Sequence, residues 1–156
     1  MAEPRWLDER EAHLWQAYRH LNQQLYAALE EQLLRDAGLS AADYHVLVPL
    51  SEAPAGVLRA RDLGIDIGWD RSRLSHHVSR MEKRGLVVRE ECSEDGRGSM
   101  VRLTAAGRKA IEGAAPEHAV TVRRCFFDPL SDREIDTLTR VFDRLLEKLA
   151  TDSVTA

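Results

Sequence analysis

From Leu14 to Leu33 an apolar residue returns every three or four positions: Leu14, Tyr18, Leu21, Leu25, Leu29 and Leu33. That spacing lays a continuous stripe along one α-helix. The stripe is longer than a small domain needs to cover itself, so it must be buried against something beyond one compact lobe. The helix is predicted from about Asp8 to Arg35, ending before Gly38. Near the other end of the 156 residues, Ile135, Leu138, Phe142, Leu145 and Leu149 repeat the pattern in a helix from about Ser131 to Leu149. Asp128–Pro129 breaks the chain just before it. Two such stripes in one small chain point to a homodimer through the terminal helices.

Three helix starts carry the same signature. Asp8 with Glu11, Ser40 with Asp43 and Ser131 with Glu134 each place a capping side chain three residues before a carboxylate, with flanking apolar residues to clasp the entry. Between the long helices, Ser40 to about Ser51 reads as a helix that Pro49 should kink or end. Arg61 to Ile67 reads as a short helix, weakened by Gly64 and Gly68. Asp70 to Arg84 reads as a helix stopped by Gly85, with Trp69 set to clasp Leu74. "LVVREE" and "MVRLT" favour strands around the turn-rich "CSEDGRGS". Thr104 then caps a helix to about Phe127, with a kink expected near Pro116. The fold class is therefore mainly α with a small β-hairpin wing: a winged helix-turn-helix lobe plus a helical dimerisation region.

Charge is distributed unevenly. The chain carries a formal net charge of −4, yet Arg71, Arg73, Arg80, Lys83, Arg84 and Arg89 crowd into nineteen residues with one acid, Glu82. On a helical wheel of Asp70–Arg84, Leu74, Val78 and Met81 face a core, with His77 nearer that side. Ser72, His76, Ser79 and Lys83 face outward, flanked by Arg73, Ser75 and Arg80. A helix fits the B-DNA major groove, and donor-rich side chains read base edges there. In helix-turn-helix docking the early part of the second helix does the reading. That assigns Ser72, Arg73, Ser75 and His76 toward bases, and Arg80, Lys83 and Arg84 toward the phosphate backbone, with Arg71 and Ser79 as further DNA-binding residues. Local patches act within a Debye length, so overall acidity does not oppose this.

The stretch "DRSRLSHHVSRMEKRGLVVRE", the turn with Asp95-Gly96-Arg97, and "VRLTAAGR" resemble the winged-helix core of the MarR family of bacterial transcriptional regulators. The resemblance extends to the long first helix, "LSAADYHVLVPL" and the capped last helix. It implies a single domain over residues 1–156, with residues 8–37 and 104–150 as dimerisation helices and 40–103 as the DNA-binding lobe. It implies a homodimer on double-stranded DNA, on a pseudo-palindromic operator, acting as a repressor relieved by a small-molecule effector. It carries the groove-reading role onto Asp70–Arg84, the minor-groove role onto Arg97, and the bracing of a nearby arginine onto Asp95. "GIDIGWD" departs from the family in its glycines, which should shorten the preceding helix.

Other chemistry finds less support. Trp15, Tyr18, His20, Tyr44, His45 and His118 are candidates to line an effector pocket where the first, second and fifth helices meet. His13 and His20 are seven apart on one helix, too far for a two-ligand metal clamp, and no metal or cofactor is expected. Cys92 and Cys125 make no disulfide framework, and Glu90, Glu91 and Glu94 oppose thiolate formation at Cys92. No phosphate loop or nucleophile elbow suggests an enzyme. No stretch reads as a signal peptide or a membrane span, and a cytoplasmic location is expected. The competing reading is a helical dimer whose basic face takes an acidic protein partner.

Overall fold

The computed structural model describes residues 4–91 and 98–154. The elements are α1 (Glu9–Ala37), α2 (Ala41–Glu52), a 3-10 turn (Pro54–Gly56), β1 (Val57–Arg59), α3 (Ala60–Asp66), α4 (Arg71–Lys83), β2 (Val87–Glu91), β3 (Ser99–Leu103), α5 (Ala105–Val122), a π-helical turn (Arg123–Phe127) and α6 (Asp132–Val154). They divide into two compact units, Met1–Ala119 and Val120–Ala156.

The first unit is built around the apolar faces that the periodicity defines. Leu33 and Leu39 close the end of α1 onto Val46, Leu47 and Leu50 of α2. Leu63 of α3, Leu74, Val78 and Met81 of α4, and Val87, Val101 and Leu103 of the sheet complete the core, with Ile111 and Ala114 of α5. Ahead of this core, α1 leaves its stripe uncovered: Leu14 is 71% exposed and Leu21 50%. The capping boxes at Asp8–Glu11 and Ser40–Asp43 are both complete. Gly38 ends α1 in the left-handed region, φ 62°.

Several elements differ from the sequence expectation. Pro49 does not end α2, which continues to Glu52. A proline this close to a C-terminus forfeits one intrahelical bond, and the Ala53 N–H then closes onto the Pro49 carbonyl at 3.0 Å. The wing is one edge of a three-stranded antiparallel sheet in the order β1-β3-β2, not an isolated hairpin. Strand β1 is only three residues, too short to declare a period of two, and pairs Leu58 with Val101. Pro116 lies inside α5, and the departure from α geometry comes later, at the π turn, where the Asp128 N–H bonds the Arg123 carbonyl at 2.8 Å. At Ser131 the cap is one-sided: Glu134 accepts from the Ser131 N–H at 2.9 Å and from its hydroxyl at 2.6 Å.

Gly107 has a packing reason. Thr104 caps α5 through the Gly107 N–H at 2.9 Å, while its hydroxyl donates to the Gly85 carbonyl at 2.6 Å. That double role draws the start of α5 onto the turn after α4. A Cβ on Gly107 would lie 2.0 Å from the Leu86 carbonyl oxygen, so no larger residue fits.

The second unit is dominated by α6. Ile135 and Leu138 are half-buried, while Phe142, Leu145 and Leu146 on the same helix are 42%, 53% and 63% exposed.

Candidate nucleic-acid interface

Helix α4 starts because Asp70 accepts the Arg73 N–H at 2.9 Å, and Leu74, Val78 and Met81 fix its inner face in the core. Arg71, Ser72, Arg73, Ser75, His76, Arg80 and Lys83 are then all exposed, and Ser79 is half-buried. One continuous surface of α4 thus gathers most of the residues assigned to DNA from the sequence.

A buried polar network anchors this helix to α2. Asp43, 2% exposed, lies between His77 and Arg84. The His77 Nε2–H donates to its Oδ1 at 3.0 Å, and the Arg84 guanidinium donates to its Oδ2 at 2.6 Å. The Nδ1 of His77 accepts from Arg80 at 2.7 Å, which assigns the Nε2–H tautomer. Burial holds His77 below its ordinary pKa, helped by Arg80 and Arg84 against the pull of Asp43. Burial alone would raise the Asp43 carboxyl, but the hydrogen bonds from Arg84 and Ser40 reverse the sign and lower it. A neutral histidine therefore bridges a carboxylate and a guanidinium, with the ion pair completed by Arg84.

This geometry separates the arginines. Arg84, besides Asp43, donates to the Gly38 carbonyl at 2.8 Å, so it ties α4 to the end of α1 as well as presenting charge. Arg89 on β2 reaches back to the Ser75 carbonyl and, at 3.0 Å, to the Ser79 hydroxyl, with Glu82 beside it at 3.5 Å. The brace on this arginine is thus Glu82 among the described residues. Asp95, the expected brace, lies outside the described residues, as do Cys92 and the wing residue Arg97. Arg73 leans over the ring of Trp69, 4.2 Å from its centroid. Trp69 is half-buried against the core and also meets His77 edge-on.

The candidate effector residues fall into separate groups. The rings of Tyr44 and His118 pack at a tilt of 39° with centroids 4.3 Å apart, and His118 Nδ1 lies 3.2 Å from the side-chain Oε1 of Gln32. Burial lowers the His118 pKa, with His45 adding to the effect. Trp15 and Tyr18 stack on each other at 5.5 Å on the exposed part of α1. His20 and His45 are exposed.

Sequence reasoning missed the Asp43–His77–Arg84 network. Its members are 34 and 41 residues apart, and each has a sufficient local explanation as a cap, a core histidine or a surface cation. Among the described residues no group of three metal-ligating side chains converges, and no helix is long and apolar enough to cross a membrane.

Residues 37–98 match the model of the MarR family. Over 80 residues the chain is 31% identical to the HTH-type transcriptional regulator YdgJ of Bacillus subtilis; the match covers 51% of this chain and spans only 48% of that relative. The crystal structure of Sco3205, a MarR family transcriptional regulator from Streptomyces coelicolor in complex with DNA, superposes with a TM-score of 0.90 at 38% identity, covering 96% of this chain and 93% of that one. AbsC, a MarR family transcriptional regulator from the same organism, also gives 0.90 at 36% identity, over 95% of this chain and 99% of its own.

Proposed function

The chain belongs to the MarR family of transcriptional regulators, and from that premise we propose that it binds a pseudo-palindromic operator as a homodimer and represses transcription until a small molecule releases it. The observation that carries this reading is the exposed basic face of α4, set on the second helix of a helix-turn-helix and backed by a buried apolar face. Ser72, Arg73, Ser75 and His76 read base edges in the major groove, with Arg71 and Ser79 on the same DNA-binding helix. Arg80 and Lys83 contact phosphates. Arg84 shares that duty with its bracing of Asp43. Arg97 enters the minor groove from the wing and Asp95 braces an arginine there, on the strength of the family resemblance.

The dimer forms on the uncovered stripes of α1 and α6. It holds two α4 helices about one DNA turn apart, roughly 34 Å, so a small change in lobe spacing abolishes binding. Tyr44 and His118 are the best-organised candidates to contact the effector, with Trp15, Tyr18, His20 and His45 as further contacts. The protein uses no cofactor in this reading and catalyses no reaction.

The test is selection of duplexes by the protein from a random pool, followed by binding titrations at several salt concentrations. A recovered palindrome, with affinity falling steeply as salt rises, is expected. Recovery of no consensus sequence would return the basic face to an acidic protein partner.

A further inference from the structure

We propose that Trp69 is a positioning residue for base readout, its indole face holding the Arg73 guanidinium in the orientation that enters the major groove. The inference rests on the reading of α4 as the groove-reading helix and adds to it the element that sets specificity.

The turn between α3 and α4 delivers the ring. The Trp69 N–H bonds the Gly64 carbonyl at 2.8 Å. A Cβ on Gly64 would stand 3.1 Å from the Trp69 carbonyl oxygen, so glycine permits the close approach. Gly68 turns the chain through φ 68°, a conformation that suits glycine. Trp69 is thereby seated one residue ahead of the Asp70 cap. Both glycines that interrupt the helical pattern of "GIDIGWD" have a role in this placement.

The ring has two polar neighbours. It meets His77 with ring centroids 5.4 Å apart and planes at 86°. Asp43 and Arg80 hold the two ring nitrogens of His77, which restrains it. The Arg73 guanidinium carbon lies over the indole, 4.2 Å from the ring centroid. No ion pair among the described residues includes Arg73. Stacking restrains the guanidinium without neutralising it and leaves its in-plane N–H donors free for a bidentate contact to a guanine edge. An arginine ordered before binding loses less conformational freedom when it docks.

The probe is a duplex selected from a random pool by the unaltered protein, together with a set of single base-pair variants of it. Trp69→Leu removes the π face and keeps apolar bulk; Trp69→Phe keeps a smaller face. Trp69→Leu should reduce discrimination at the Arg73-dependent base pair about five-fold, with Trp69→Phe intermediate. Affinity for scrambled DNA should change little. In an Arg73→Ala background, Trp69→Leu should leave discrimination as it stands. Melting midpoints of all variants accompany the titrations; should Trp69→Leu not fold, Trp69→Phe carries the comparison alone. If Arg73→Ala erases a preference that both Trp69 variants retain in full, the positioning role is overturned and the groove reading stands. If the unaltered protein prefers no sequence, the groove reading itself fails, and this inference with it.

Discussion

His77 and Asp43, 34 residues apart in the chain, share a hydrogen bond of 3.0 Å inside the lobe, with both side chains nearly sealed from water. Because burial keeps His77 neutral and its pKa below the ordinary histidine value, the unfolded chain takes up a proton that the folded chain refuses. Folding stability must then fall as pH drops through about 6.5 toward the folded-state value, and gain nothing further above about pH 7. His118, also lowered, acts in the same window with the same sign. Asp43, lowered too, contributes stability above the ordinary carboxylate range that is lost further into acid. Urea midpoints should therefore rise from about pH 5 to about pH 7 and then level. His77→Gln should flatten much of that slope and leave the part owed to His118. A slope unchanged by the substitution would show that His77 does not stay neutral in the fold.

Gly107 and Gly113 make a matched pair within α5. A Cβ at Gly107 meets the Leu86 carbonyl at 2.0 Å and Leu103 Cδ1 at 2.8 Å, whereas one at Gly113 meets nothing within 4 Å. Gly107→Ala should cost ~1–3 kcal/mol or more, because backbone must move. Gly113→Ala should stabilise by up to ~1 kcal/mol, the difference in helix propensity. Thermal or urea unfolding of the two variants should give opposite signs; equal shifts would mean that α5 does not approach Leu86 so closely.

Much of the fold was legible because it follows from short-range rules. Caps at Asp8, Ser40 and Asp70 and the stop at Gly38 locate helix ends to within a residue or two. The apolar face read on α4, Leu74, Val78 and Met81, does lie in the core. Features that need two distant segments were not legible. Strand β1 exists because Leu58 finds Val101, and three residues carry no period of their own. Gly107 reads as a weak helical residue until Leu86 lies against it. At the interface, the outward face of α4 was legible from the wheel. The restraint of Arg73 by Trp69 was not, since Trp69 lies before the helix and the turn, not the helical period, brings the two together.

The uncovered stripes predict how the proposed dimer can be broken. Leu14 on α1 and Leu145 on α6 are more than half exposed in the single chain, so a charge at either should not disturb the fold of one protomer. Leu14→Glu and Leu145→Glu should each shift sedimentation toward the monomer and weaken operator binding, while helical content stays the same. Dimers of unchanged strength in both variants would rule out these stripes as the interface.

Arg73 and Lys83 lie at opposite ends of α4, both exposed, and the proposed DNA reading gives them different work. Arg73, in the first turn and held over Trp69, is suited to a base edge. Lys83, in the last turn and exposed, is suited to a phosphate, as a flexible point charge. Arg73→Ala should cost ~1–3 kcal/mol on the selected operator and relax preference at one position of each half-site. It should matter far less on scrambled DNA. Lys83→Ala should weaken binding to every duplex by a similar factor. It should also lower the slope of log affinity against log salt by about one unit per protomer, because one fewer counterion is released at each half-site. Titrations of both variants on selected and scrambled duplexes over a range of salt concentrations separate the two roles. Equal losses on both duplexes for both variants would leave α4 with a purely electrostatic contact and move sequence reading elsewhere in the lobe.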